Sequence, residues 1–171
     1  MEVIKFKNYI ILAIVFFITI VSSLLIRDTY LDNKRYAENT NQRLKSLYEI
    51  KEEDLKSYLV ENRDIIIYTS YASNSKLEEF EIELNDYISK NEISKDIIYL
   101  NLDKISSNFY KDLKEKYFND YMKSKQNIFL EQANLYAVEE GKIKNVLYEQ
   151  NKIINLKDIE YFLKTNGVVE K

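Results

Sequence analysis

Residues 64–101, DIIIYTSYASNSKLEEFEIELNDYISKNEISKDIIYLN, decide the fold. The segment opens with Asp64-Ile65-Ile66-Ile67-Tyr68-Thr69 and closes with Asp96-Ile97-Ile98-Tyr99-Leu100-Asn101. Both runs are β-branched or aromatic at successive positions, as in strands buried on both faces. Between them Leu77, Phe80, Leu84, Tyr87 and Ile88 recur at helical spacing. Asn74 or Ser75 can cap that helix, and Glu78 and Glu79 stand in its first turn, where the macrodipole favours anions. A helix joining two such strands predicts a βαβ unit, with the strands parallel and the crossover right-handed. Strand and helix meet through a polar knot, Tyr71-Ala72-Ser73-Asn74-Ser75-Lys76.

Outward from this unit the pattern continues. Leu47-Tyr48-Glu49-Ile50 alternates like a short edge strand, and Glu52 to Val60 carries Leu55, Tyr58 and Leu59 at helical spacing. Lys111 to Lys123 reads as a third helix with Leu113, Tyr117, Tyr121 and Met122 facing inward. Residues 134–139 and 142–149 form two strands about Glu140-Gly141, a hairpin signal. Asn155 caps a last helix over Leu156 to Thr165, with Asp158 at the capping-box position, Ile159, Phe162 and Leu163 on its buried stripe, and Gly167 beyond its end. The predicted order is β-α-β-α-β-α-β-β-α: an α/β fold with a mixed sheet and helices on both faces.

Ahead of this lies YIILAIVFFITIVSSLLI, residues 9–26, without a charge. At ~1.5 Å per residue it spans roughly 27 Å, close to the hydrocarbon thickness of a bilayer. A basic start and an apolar run also describe a signal peptide, but no small-x-small cleavage site follows. The expected organisation is a tail at 1–8, a transmembrane helix at 9–26 in contact with lipid, a polar and helical stalk at 27–45, and one domain at 46–171. Lys5 and Lys7 on one side and Arg27, Lys34 and Arg35 on the other do not settle orientation by charge. A short tail before a long C-terminal domain behaves as a signal anchor, so the N-terminus is expected inside and the domain outside the cytoplasm.

Composition removes whole classes of chemistry. The 171 residues include no Cys, no His and no Pro. Thiolate nucleophiles, thiolate metal sites and Ser–His or Cys–His pairs are therefore absent. A net charge of −3 without a basic stripe argues against a nucleic-acid partner. Glu52-Glu53-Asp54 are consecutive carboxylates that point different ways from a helix start, so no metal site is expected there, and no cofactor is expected at all. Any enzyme activity would need carboxylate, Lys or Tyr chemistry, or a hard metal ion.

The polar knot carries a resemblance. In the thioredoxin family a strand runs into an aromatic residue, then Cys-x-x-Cys, a basic residue and a helix. Here Tyr71 stands at the aromatic position, Ala72 and Ser75 at the two cysteine positions with Ser73 and Asn74 between them, and Lys76 follows. The family's cis-proline lies eight residues before a hairpin glycine; counting back eight from Gly141 gives Ala133. Over residues 47–167 the chain thus resembles a thioredoxin-like protein that has lost both features. Its Tyr-x-Ser spacing is most similar to the membrane-anchored Gram-positive group that includes bacteriocin-transport accessory proteins. The resemblance implies a thioredoxin-like fold without thiol–disulfide activity, since that exchange needs an attacking thiolate and a partner sulfur. It implies a module that binds or scaffolds another cell-envelope protein, with Tyr68, Tyr71, Asn134 and Tyr136 as a possible partner-binding rim. Alternatives are a membrane-tethered sensor or immunity-type binder holding a small ligand at the empty turn, and a non-thiol enzyme. Backbone N–H groups at a helix start can also hold an anion or a partner carbonyl.

Overall fold

The computed structural model describes residues 2–37, 39–124, 133–149 and 153–169, with side chains of the first helix described over residues 9–27. It divides into two units, Met1–Ala37 and Glu38–Lys171. The first is a single helix, α1 (Glu2–Ala37). Its Tyr9–Arg27 stretch, 19 residues of mean hydropathy 2.8, is long and apolar enough to cross a membrane. Two of its hydroxyls are satisfied by the helix itself: Thr19 Oγ1 donates to the Val15 carbonyl and Ser23 Oγ to the Thr19 carbonyl, each at 2.8 Å.

The second unit is a five-stranded mixed sheet in the order β1-β3-β2-β4-β5. The strands are β1 (Tyr48–Glu49), β2 (Ile65–Ser70), β3 (Ile97–Asn101), β4 (Asn134–Glu139) and β5 (Lys142–Leu147). β1, β3 and β2 run parallel, β4 runs antiparallel to β2, and β5 antiparallel to β4. The βαβ unit expected from residues 64–101 is present, with Ile67 opposite Ile98 on one side and Tyr136 on the other. Alternation along each strand divides the core in two. Ile66, Tyr68, Tyr99, Leu135 and Ala137 pack with α3 (Glu78–Lys90) and α6 (Leu156–Thr165). Ile65, Ile67, Leu100, Tyr136 and Val138 pack with α2 (Leu55–Glu61) and with the segment between β3 and β4. Helices on both faces follow from strands that are apolar on both faces.

Local signals behave as read. At the hairpin Glu140 and Gly141 take φ of 52° and 75°, the pair of positive angles that a two-residue turn requires. Asn155 Oδ1 accepts from the Asp158 amide at 3.0 Å. Gly167, at φ 76°, closes α6: its amide reaches the Lys164 carbonyl at 3.2 Å and that of Val168 the Leu163 carbonyl at 3.0 Å.

Two expectations fail. The third helix is broken into α4 (Phe109–Asp112), a π-helical turn at Leu113–Tyr117 and α5 (Asp120–Ser124). Phe118 becomes extended, forms a parallel bridge with Ile143 and buries its ring, and the Asn119 amide donates to the Ile143 carbonyl at 3.1 Å. Pairing with the β5 edge takes the place of helix continuation. Tyr121 in consequence faces solvent, 63% exposed, while Leu113 and Met122 are buried.

The stalk also ends earlier than 45. Residues 39–47 belong to the compact unit, and Leu44 and Leu47 are fully buried against the α3–α6 core. Asn39 Nδ2 donates to the Leu44 and Leu47 carbonyls, each at 2.8 Å, and Ser46 holds Asn85 Oδ1 through its amide (2.9 Å) and its hydroxyl (2.6 Å). The Thr40 amide and Lys104 Nζ donate to the Glu49 carboxylate at 2.6 and 2.7 Å. Burial alone would raise the Glu49 carboxyl, but hydrogen bonds from Lys104 and Thr40 outweigh it and hold it below its ordinary value. This segment is a strap across the domain. Its polarity reflects hydrogen bonding to the fold rather than to water.

Candidate functional site

β2 delivers Ser70 and Tyr71 to the end of the sheet, and the 3₁₀ turn Ser75–Leu77 leads into α3. Asn74 is the cap, its Oδ1 accepting from the Lys76 amide at 3.1 Å. The amides of Ala72, Ser73, Asn74 and Leu77 are engaged by the chain itself. Those of Asn74 and Leu77 donate to the Tyr71 and Asn74 carbonyls at 3.0 and 3.2 Å, and that of Ala72 to Asn101 Oδ1 at 3.5 Å. Asp103 takes both the Ser73 amide (2.8 Å) and the Ser73 hydroxyl (2.7 Å). An anion would have to displace these oxygens. Ser73, Ser75 and Lys76 are exposed, and Tyr71, Ala72 and Asn74 are half-buried.

Ala133 lies half-buried just before β4 and packs against the α3–α6 core. Its neighbour Asn134 pairs with Thr69 of β2, which sets Ala133 at the same end of the sheet as the turn. The expected rim, in contrast, does not exist as a surface. Tyr68, Asn134 and Tyr136 are 0% exposed, because β2 and β4 are inner strands covered on both faces. Of the four rim residues only Tyr71 reaches solvent.

Beneath the turn is a buried polar cluster built on Glu81, itself 0% exposed. One carboxylate oxygen accepts from the Tyr68 hydroxyl (3.1 Å) and the Ser70 hydroxyl (2.5 Å). The other accepts from Asn41 Nδ2 (3.1 Å) and lies 2.9 Å from Arg43 Nε. The same guanidinium donates through Nη1 to the Asn74 carbonyl (2.9 Å) and through Nη2 to the Ala72 carbonyl (2.5 Å). The Tyr99 hydroxyl receives Asn41 Nδ2 at 3.4 Å and donates to the Ser70 carbonyl at 3.3 Å, and its ring stacks on that of Tyr68 at 6.0 Å. A carboxylate taken out of water is tolerable only when donors of this kind replace the water. Arg43 therefore joins strap, buried acid and turn into one assembly.

Sequence reasoning found the turn and missed what braces it. One signal was available: Glu81 is four residues after Leu77 and three before Leu84, inside the apolar stripe of α3. An acid there must be buried, and hence paired. No sequence pattern marked Asn41 or Arg43.

A comparison with protein-family models finds no match, and one with curated proteins finds none.

The cluster is suited to holding shape rather than to reacting. Burial and the nearby Glu81 charge push Tyr68 well above its ordinary value, burial raises Tyr99 to about 12, and burial drives Tyr136 up as well. Their hydroxyls are held as neutral phenols. Among the described residues no group of three His, Cys, Asp or Glu side chains is placed to hold a metal ion. A cleft of about 760 Å³ lies between α2 and the π-helical turn, near Gly141, at the end of the sheet away from Ser70. Its charges are mixed, with Lys56, Arg63 and Lys116 set among Glu52, Asp112 and Glu140.

The buried phenols predict a cooperative alkaline transition. The folded chain holds these protons more tightly than the unfolded chain, whose tyrosines ionise near 10, so their stabilising contribution is complete below that pH. It is lost as pH rises through about 12. An ultraviolet titration should show a late phenolate step that coincides with loss of the circular dichroism signal. Ionisation of every tyrosine with native dichroism retained would contradict the buried hydroxyl network.

Proposed function

We propose that the chain is a membrane-anchored, redox-inactive thioredoxin-like module that binds or scaffolds another cell-envelope protein, with its N-terminus inside and its domain outside the cytoplasm. The strand order β1-β3-β2-β4-β5, with β2 running through a polar turn into α3 and Ala133 at the same end, supports the thioredoxin-like reading. The apolar Tyr9–Arg27 helix supports the anchor. A chain without cysteine cannot exchange disulfides.

The observation that carries the binding role is the bracing of an exposed turn that bears no reactive group. Arg43 holds two of its carbonyls, Asp103 holds Ser73, and Asn101 holds the Ala72 amide. A loop fixed in advance loses little conformational freedom when a partner docks, which is where rigidity serves recognition. A small-ligand sensor at the turn draws less support, because the amides of Ala72, Ser73, Asn74, Lys76 and Leu77 are already bonded within the chain.

The test is position-specific photocrosslinking of the full-length chain in native membranes. A crosslinker at exposed Ser75 should capture one reproducible envelope protein, and the same group at Tyr161, exposed on α6, should not. Identical capture from both positions, or none from Ser75, would remove the turn from any binding role.

A further inference from the structure

We propose that the acceptors around Arg43 form a guanidinium-binding site that the chain fills with its own arginine, and that an arginine side chain of a partner polypeptide is the ligand class that takes its place. The partner half of this rests on the binding role proposed above; the site itself does not.

The contacts define the ligand chemistry. Nε lies 2.9 Å from Glu81 Oε2 and 3.1 Å from Asn41 Oδ1, Nη1 is 2.9 Å from the Asn74 carbonyl, and Nη2 is 2.5 Å from the Ala72 carbonyl. Every nitrogen of a planar fork meets an acceptor, a set that a lysine ammonium on its single atom cannot match. These acceptors keep their positions by other means. Tyr68 and Ser70 hold the far oxygen of Glu81, Asn41 is bonded to Glu81 and Tyr99, and the carbonyls belong to a turn fixed by Asn101 and Asp103. The site is thus held in part by contacts other than those of its occupant.

The occupant can leave without unfolding the strap. Arg43 sits in the short 3₁₀ turn Gln42–Leu44, its side chain remains 15% exposed, and the backbone beside it is pinned by buried Leu44. Side-chain rotation alone vacates the site. An empty site would strand a buried carboxylate and two carbonyls, so exchange of one guanidinium for another is favoured over vacancy. The tethered arginine has a high effective concentration. A competing ligand must therefore bring further contacts, as a peptide does and a free cation does not. Because the fork ends on the carbonyls of Ala72 and Asn74, an arginine arriving there is seated directly on the turn.

The test uses the full-length chain in detergent micelles, with methylguanidinium as probe and methylammonium at equal concentration as control. Arg43→Ala should melt below the parent chain. Millimolar methylguanidinium should raise its Tm by several degrees, methylammonium should not, and neither should move the parent chain. Should the alanine variant not fold, Arg43→Lys, which keeps the charge but lacks the fork, carries the same comparison. A blocked Ala-Arg-Ala peptide should stabilise Arg43→Ala, and its Ala-Lys-Ala counterpart should not. Equal effects of the two cations, no effect of either on both variants, or no discrimination between the peptides would overturn the proposal. None of these outcomes depends on the Ser75 crosslinking result, so the two readings fail separately.

Discussion

A fragment beginning at residue 46 should not fold, whereas one beginning at residue 38 should unfold in a single cooperative transition. Hydrophobic patterning alone starts the domain at residue 46, where apolar alternation becomes regular. The structure starts it earlier, because the strap supplies interactions that nothing later in the chain replaces. Leu44 is fully buried in the α3–α6 core, and removing a side chain of that kind costs about 2–5 kcal/mol. Arg43 pairs with Glu81, and leaving a buried charge uncompensated costs about 3–5 kcal/mol. Asn41 contributes a further bond to the same carboxylate. Together these approach the ~5–15 kcal/mol that holds a domain of ordinary stability. Urea titrations followed by circular dichroism compare the two fragments directly. Equal midpoints would mean that the strap is an appendage and that the core closes without it.

The difference between the two starting points shows what a sequence makes legible. The sheet and its helices announce themselves by period: Ile65-Ile66-Ile67 and Ile97-Ile98 are apolar on both faces, and Leu77, Leu84 and Ile88 repeat every three or four residues. Turn chemistry is equally plain at Gly141, Asn155 and Gly167, where local backbone geometry restricts the residue. Period and local geometry say nothing about polar groups that fold inward. Asn41 and Arg43 look like a solvated stalk, yet their bonds run to residues far along the chain. Tyr68 and Tyr136 look like interfacial aromatics, yet their hydroxyls find partners inside and the rings are buried. Phe118 interrupts a helix that its neighbours would continue, because the β5 edge offers it a strand partner. That the turn around Ala72 and Ser75 carries no thiol or imidazole was readable in the sequence. The network that keeps this turn in shape was not, since the bonds from Arg43, Asn41, Asn101 and Asp103 join segments that no short window contains.

The Arg43–Glu81 pair should be the most costly polar contact to break, and the manner of breaking it should matter more than the breaking. Arg43→Met leaves the buried carboxylate with neutral donors only, and Glu81→Ala leaves the guanidinium and the Tyr68 and Ser70 hydroxyls without their common acceptor. Each should cost about 3–5 kcal/mol, the range for a buried pair reduced to one member. The double variant should cost clearly less than their sum, with a coupling of roughly 2 kcal/mol, because the second change removes the charge that the first one stranded. Glu81→Gln separates charge from hydrogen bonding. Its carbonyl oxygen can face Asn41 and Arg43 while its amide donates to Tyr68 and Ser70, whose hydroxyls accept as readily as they donate. Every polar atom then keeps a partner, and the loss should fall to about 1–2 kcal/mol, the difference between charge-assisted and neutral bonds. Denaturant midpoints for the four variants decide between two accounts. If Glu81→Gln proves as damaging as Glu81→Ala, or if the double variant is additive, Glu81 acts as an isolated charge and the turn is not braced through it. If the predicted order holds, one arginine from the strap and one acid from α3 fix the shape of the turn between β2 and α3.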